Sequence, residues 1–259
     1  MFANNPDLLA LDFDGVICDG LIEYFLTTKK TYCQVWNPPE AIDLDRFTEK
    51  FYKLRPVIET GWEMPVLLRA IVKEIAEDDI LQKWPEVRDR LVESEALNPK
   101  DLAYKLDTVR DKWIATDLEE WLDKHRFFPG IIDRLNNILN SQTILYIVTT
   151  KEGRFTKRIL QKAGIELESK YIIGKECQRP KYETLRLLIS SNSEVDNVWF
   201  VEDRLKTLKM VQQQPDLQQV KLFLAAWGYN TQQARESVSY GQNIKLISLE
   251  QFSQGFSSW

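Results

Sequence analysis

Hydrophobic and polar positions along the chain change their spacing twice, and these changes divide the sequence into three stretches. Near the start, the four consecutive apolar residues Leu8–Leu11 predict a strand that is buried on both faces of a parallel sheet. From residue 20 to about residue 125, apolar positions follow helical spacing, as at Leu102, Leu106 and Val109. We therefore predict that the middle stretch is all-helical.

The helical stretch ends in a long amphipathic segment that runs from Asn98 to about His125. Asn98 is a favourable capping residue, and Pro99 suits the first position of a helix. After Phe128-Pro129-Gly130, helical and strand patterns alternate, and the chain ends in the polar, low-complexity segment QFSQGFSSW.

This alternation predicts a parallel sheet with helices on both faces, the arrangement of an α/β fold. Since the first strand belongs to the same sheet, the helical stretch is an insertion into the α/β core. We expect a core domain of residues 1–18 and 128–259 and an inserted helical domain of residues 19–127.

Two carboxylates follow the first predicted strand. Asp12 and Asp14 are two residues apart, so both side chains point to the same side of an extended segment. Gly15 then allows the backbone to turn sharply. The alternative is an ordinary turn, since Asp and Gly are common turn residues.

Two later predicted strands also end in polar residues. The strand TILYIV is followed by Thr149, Thr150 and Lys151, which could hold a phosphate oxygen, and VWFV is followed by Glu202 and Asp203. Because parallel strands present their carboxyl ends at one edge of a sheet, these groups favour a site there. Carboxylate oxygens are the ligands that Mg²⁺ prefers, and the metal also binds substrate phosphates.

The overall composition narrows the possible functions. The 259 residues carry a net charge of −5 and no dense basic run, which argues against nucleic-acid binding. Apolar runs are too short for a membrane span, and the N-terminus has no basic region before an apolar one. The cysteines Cys18, Cys33 and Cys177 lack metal-ligand spacing. We expect a cytoplasmic protein with no nucleic-acid or membrane partner.

The motifs at these strand ends resemble those of the haloacid dehalogenase (HAD) superfamily, in its phosphoglycolate-phosphatase-like branch. LDFDGV is similar to the first motif, Thr149 to the second, and Glu202-Asp203 to the acidic fourth motif. Lys181 best matches the lysine that opens a helix in the third motif, but Lys175 is an alternative because the order here is Arg-Pro-Lys. The resemblance covers the core, whereas the inserted helical cap is similar only in architecture.

The resemblance implies a Rossmann-like core and a Mg²⁺-dependent phosphatase that acts on a small phosphorylated metabolite. Asp12 would be the nucleophile that becomes an aspartyl phosphate, and Asp14 the general acid and base. Lys181 and Thr149 would stabilise the transferring phosphoryl group. The Mg²⁺ ion would be held by Asp12, Asp203, Glu202 and the backbone carbonyl of Asp14.

Substrate contacts are expected from Thr150 and from Arg55 and Glu59, which lie in a turn-rich part of the cap. That part of the cap could instead be a solvated connection between helices. Two other functions stay open: a phosphomutase on a sugar phosphate, and a non-catalytic module that binds a phosphorylated ligand or a partner protein. The intact motif residues favour the enzyme.

Overall fold

The computed structural model describes residues 5–39, 42–192, 194–238 and 243–259, and these residues form two compact units. The core unit contains the described residues up to Asp19 and those from Arg126 onward. The helical unit spans Gly20–His125. Among the described residues, no helix is both long enough and apolar enough to cross a bilayer.

A parallel sheet organises the core unit. The strands among the described residues are β1 (Leu8–Leu11), β2 (Cys18–Asp19), β3 (Arg126–Phe127), β4 (Ile144–Val148), β5 (Ile172–Ile173), β6 (Val198–Glu202), β7 (Lys221–Ala225) and β8 (Ile244–Ile247). Six of these form one sheet in the order β5-β4-β1-β6-β7-β8, and every pairing in it is parallel. The predicted α/β class is confirmed. β2 and β3 form a separate antiparallel pair that the sequence pattern did not indicate.

The register of the sheet brings the ends of its three central strands together. β1 lies between β4 and β6, and Leu11 is opposite both Ile147 and Val201. The residues that follow these strands therefore emerge side by side at the carboxyl edge. Every residue of β1 is buried, as a strand with neighbours and helices on both faces requires.

The helical unit contains α1 (Leu21–Trp36), α2 (Thr48–Leu54), α3 (Glu63–Val72), α4 (Glu77–Ser94), α5 (Pro99–Thr116) and α6 (Leu118–Leu122). Asn98 caps α5 as expected, since its side chain accepts a hydrogen bond from the Lys100 N–H at 2.9 Å. The amphipathic segment predicted from Asn98 to about His125 is not continuous. Asp117 leaves the helical conformation and caps α6 by accepting from the Glu120 N–H at 2.8 Å.

A buried polar network joins helices of this unit. Glu23 of α1 is fully buried, and its Oε1 accepts hydrogen bonds from Thr27 Oγ1 and from Arg110 Nε, both at 2.8 Å. Trp121 Nε1 donates to the same oxygen at 3.3 Å. A buried carboxylate is costly unless it is paired and hydrogen-bonded, so Arg110 is required for burying Glu23.

The core unit adds α7 (Ile131–Leu139), α8 (Gly153–Lys162), α9 (Lys181–Ser191), α10 (Leu205–Gln212), α11 (Gln232–Val238) and α12 (Leu249–Ser253). α12 begins with a capping box formed by Ser248 and Gln251, and it overlaps the start of the final polar segment, residues 251–259. Its aromatic residues pack into the core: the Trp259 ring lies 4.9 Å from that of Phe252 and 5.4 Å from that of Trp199. These aromatic residues are few and widely spaced in the sequence, so hydrophobic spacing did not predict that they pack against the core.

Candidate active site

Asp12 follows β1 directly and lies buried at the carboxyl edge of the sheet. Its Oδ1 accepts a hydrogen bond from the Phe13 N–H at 2.7 Å and lies 2.7 Å from Lys181 Nζ. The fully buried Phe13 ring anchors the turn between Asp12 and Asp14. The Asp12 carboxylate is thus held by the neighbouring backbone N–H and by one cation.

Lys181 reaches two of the buried carboxylates, those of Asp12 and Glu202. It opens α9, and its Nζ lies 2.7 Å from both Asp12 Oδ1 and Glu202 Oε2. Burial alone would lower the pKa of Lys181, but the two carboxylates outweigh it and raise the pKa above its ordinary value. Lys175 lies exposed on a 3₁₀ turn, and its N–H donates to the Lys151 carbonyl oxygen at 2.9 Å.

Three buried carboxylates converge beside Lys181. Asp12, Glu202 and Asp203 each offer an oxygen, and these atoms lie within 4.8 Å of one another. Burial raises the pKa of Asp12 to about 7, and the charge of Glu202 acts in the same direction. Burial also raises the pKa of both Glu202 and Asp203. Because three acids face one ammonium, the cluster suits a hard divalent cation with oxygen ligands.

The segment after β7 positions Asp203. The Tyr229 N–H donates to Asp203 Oδ2 at 2.8 Å, and the Tyr229 hydroxyl donates to Asp19 Oδ1 at 2.8 Å. A Cβ atom on Gly228 would lie 2.3 Å from Asp203 Cβ, so only glycine allows this approach. Tyr229 is a residue of the site that hydrophobic spacing did not indicate, and its signal in the sequence is its position shortly after β7, the strand next to β6.

Gly15 makes a similar close approach from the first motif. Its φ is +85°, which favours glycine, and a Cβ atom there would lie 2.2 Å from Asp203 Oδ2. The turn after Asp14 therefore passes directly over Asp203, and the first and fourth motifs pack against each other.

The three residues after β4 differ in burial and in their contacts. Thr149 is buried, and its Oγ1 accepts from the Lys151 N–H at 3.1 Å, whereas Thr150 is exposed. Lys151, which the sequence associated with a phosphate oxygen, has its Nζ 3.3 Å from Asp14 Oδ2. Asp14 thus has a cationic neighbour of its own at the carboxyl edge.

A cavity of about 310 Å³ adjoins these residues in the core unit. Its lining combines apolar residues such as Val148 and Ile173 with the hydroxyl and cationic side chains of Thr149, Thr150, Lys175, Arg179 and Lys181. These polar side chains suit an anionic ligand, because hydroxyls donate hydrogen bonds and the cations supply opposite charge.

Arg55 and Glu59 belong to the helical unit. Arg55 is buried, its Nη1 donates to the Ile58 carbonyl oxygen at 3.3 Å, and its guanidinium lies 5.0 Å from the centre of the Tyr24 ring. Glu59 is exposed, and its N–H donates to Glu63 Oε2 at 3.3 Å. Their role in substrate binding stays a prediction.

The sheet order and the acidic carboxyl edge define a parallel α/β protein with a site suited to a divalent cation and a phosphate. The chain belongs to the haloacid dehalogenase-like hydrolases, since the model of that family matches residues 6–213. A search of curated protein sequences finds no match.

Solved structures share the fold over nearly the whole chain. A candidate phosphoglycolate phosphatase from Lactobacillus delbrueckii is 13% identical, with a TM-score of 0.62, and the match covers 96% of this chain and 97% of that one. A candidate phosphatase from Clostridium difficile is 16% identical, with a TM-score of 0.58 and coverage of 95% and 96%. A haloacid dehalogenase-like family protein from Streptococcus pneumoniae is 13% identical, with a TM-score of 0.55 and coverage of 95% for both chains.

Proposed function

We propose that this protein is a Mg²⁺-dependent phosphatase that hydrolyses a small phosphorylated metabolite through a phosphorylated Asp12. The observation that carries the proposal is the contact of Lys181 with Asp12 and Glu202 at 2.7 Å, within a cluster of three buried carboxylates. Membership of a hydrolase family and the phosphatase names of proteins with the same fold support it.

Asp12 is the proposed nucleophile. An oxygen of its carboxylate forms a bond to phosphorus while the bond from phosphorus to the leaving oxygen breaks, and water later cleaves the acyl phosphate. Lys181 and the Thr149 hydroxyl would stabilise charge on the phosphoryl oxygens, which is the main task of a protein in this kind of transfer.

Asp14 is the proposed general acid and base. It donates a proton to the leaving oxygen in the first step and accepts a proton from the attacking water in the second. Part of its side chain, 19%, is exposed at the carboxyl edge, and Lys151 Nζ lies 3.3 Å from its Oδ2.

The metal would be held by Asp12, Glu202, Asp203 and the backbone carbonyl of Asp14. When bound, Mg²⁺ neutralises the negative charge that the nucleophile and the phosphate bring together. The cluster of three acids around a single lysine supports this assignment, because the excess negative charge calls for a further cation.

A panel of phosphorylated metabolites tests the proposal. We expect Mg²⁺-dependent release of inorganic phosphate from at least one small ester, its loss in chelator, and its loss in Asp12→Asn. Beryllium fluoride, which mimics an acyl phosphate, should bind the wild type with Mg²⁺ but not Asp12→Asn. Isomerisation without phosphate release would indicate a mutase. Neither reaction, together with no binding of beryllium fluoride, would overturn the catalytic assignment.

A further inference from the structure

Asn230 joins the ends of two neighbouring strands of the sheet. Its side-chain Nδ2 donates to the Asp203 carbonyl oxygen at 3.1 Å and to the Ala225 carbonyl oxygen at 2.8 Å. The last paired positions of β6 and β7 are Glu202 and Leu224, and the next residue on each strand is one of these two acceptors. A single amide thus connects the two strands where their pairing ends.

Arg235 of α11 fixes the orientation of this amide. Its Nη1 donates to Asn230 Oδ1 at 3.0 Å and to the Asn230 carbonyl oxygen at 2.9 Å. Because a guanidinium only donates hydrogen bonds, it faces the amide oxygen, and the amide nitrogen is directed at the two strand ends. Asn230 is buried, so its hydrogen bonds to protein groups are not readily exchanged for bonds to water.

The residues around Asn230 hold Asp203 as well. The Tyr229 N–H donates to Asp203 Oδ2 at 2.8 Å, so two successive residues hold the side chain and the backbone of one acid of the cluster. Trp227 Nε1 donates to the Val16 carbonyl oxygen at 3.0 Å and ties the same segment to the first motif. Asp203 therefore has its position set from the segment that follows β7.

On the basis of the proposed Mg²⁺-dependent function, we infer that Asn230 is a positioning residue that sets the affinity for Mg²⁺ by fixing the backbone of Asp203. Mg²⁺ requires near-ideal octahedral geometry at short distances, so a small displacement of one ligand weakens binding. Asn230 contacts the Asp203 carbonyl group. Its loss therefore affects the metal and leaves the Lys181 contacts with Asp12 and Glu202 in place.

The test is the affinity for Mg²⁺, measured by isothermal titration calorimetry. Asn230→Leu keeps a side chain of similar size and removes both donors. We expect its Kd for Mg²⁺ to rise by roughly 10- to 100-fold, the usual effect of losing a group that orients a metal ligand. The Mg²⁺ concentration for half-maximal phosphatase activity should rise in parallel, whereas kcat at saturating Mg²⁺ should stay within about 3-fold of the wild type.

A second variant tests the same network from its outer end. Arg235→Met removes the group that orients the amide, and Arg235 is only half-buried, so the change is tolerated more easily by the fold. We expect its Kd for Mg²⁺ to rise by roughly 3- to 10-fold. In an Asn230→Leu background the same change should cause little further loss, since the two residues act as one unit.

Asn192→Leu is the matched control. The Asn192 Nδ2 donates to the Leu188 carbonyl oxygen at 2.7 Å, at the opposite end of α9 from Lys181. This variant removes an amide-to-carbonyl hydrogen bond outside the site, so its Kd for Mg²⁺ should equal that of the wild type.

An unchanged Kd in Asn230→Leu, together with a lower Tm in chelator, would show a merely structural role and overturn the inference. If Asn230→Leu does not fold, an unchanged Kd in Arg235→Met overturns it equally. Fully additive losses in the double variant would break the proposed link between the two residues. If the wild type itself binds no Mg²⁺, the proposed metal dependence fails, and that failure is distinct from the others.

Discussion

Lys181 has the central place in the charge balance of the site. Its ammonium contacts two of the three buried carboxylates at 2.7 Å, and without it the cluster would hold three buried acids and no contacting lysine. Asp12 would then have no cation beside it, and the pKa of its carboxyl would rise further, because Lys181 is the group that lowers it.

We therefore expect Lys181→Met to reduce kcat by roughly 10² to 10³, the effect of removing one positioned group at a developing charge. Lys175→Met, which alters an exposed lysine that lines the same cavity, should reduce kcat far less. Steady-state kinetics on the best substrate measure both variants. The reverse ranking would assign the third motif to Lys175.

At the scale of elements, the helical unit depends on a polar contact between α1 and α5. Glu23 is fully buried, and Arg110 is its partner at 2.8 Å. Replacing one member of such a pair leaves the other charge buried without compensation, whereas breaking an exposed pair costs little.

Arg110→Met should accordingly lower the free energy of unfolding by about 3 kcal/mol. Thermal unfolding followed by circular dichroism measures this change as a lower Tm. Lys53→Met is the matched control, because the Lys53 ion pair with Glu77 joins α2 to α4 at the surface. Equal Tm values for Arg110→Met and the wild type would show that Glu23 is accommodated without its partner.

At the scale of the whole molecule, the acidic cluster links stability to pH and to metal. Asp12, Glu202 and Asp203 all have raised pKa values in the folded state, with that of Asp12 at about 7. The folded protein therefore binds more protons than the unfolded chain between the ordinary carboxyl pKa of about 4 and the folded values. These three acids therefore contribute to the free energy of unfolding in full below about pH 4, and this contribution is lost as the pH rises through their folded pKa values.

We expect the Tm of the metal-free protein, measured in chelator, to fall by roughly 5 °C or more between pH 5 and pH 8. Mg²⁺ should raise the Tm more at pH 8 than at pH 5, because deprotonated carboxylates bind it. Asp203→Asn should reduce both effects. A Tm in chelator that is constant or rises with pH would contradict the raised pKa values, and identical Mg²⁺ effects in both proteins would exclude Asp203 as a ligand.

The local sequence was sufficient to predict the class of fold and the edge at which the site lies. The four consecutive apolar residues of β1 predict a buried strand, and the alternating patterns after residue 130 predict helices and strands. Both predictions use only residues that lie close together in the sequence. The spacing of Asp12 and Asp14 likewise follows from the geometry of an extended chain.

Contacts between distant residues were decided only by the tertiary structure. The strand order β4-β1-β6 brings Asp12, Thr149 and Asp203 together, and hydrophobic spacing does not specify this order. The contacts of Lys181 with Asp12, of Lys151 with Asp14, and of the Tyr229 N–H with Asp203 all join residues that are far apart in the chain. The sequence by itself thus determined which chemical groups the edge of the sheet carries, and tertiary packing decided their partners, because each partner is set by strand order and loop path.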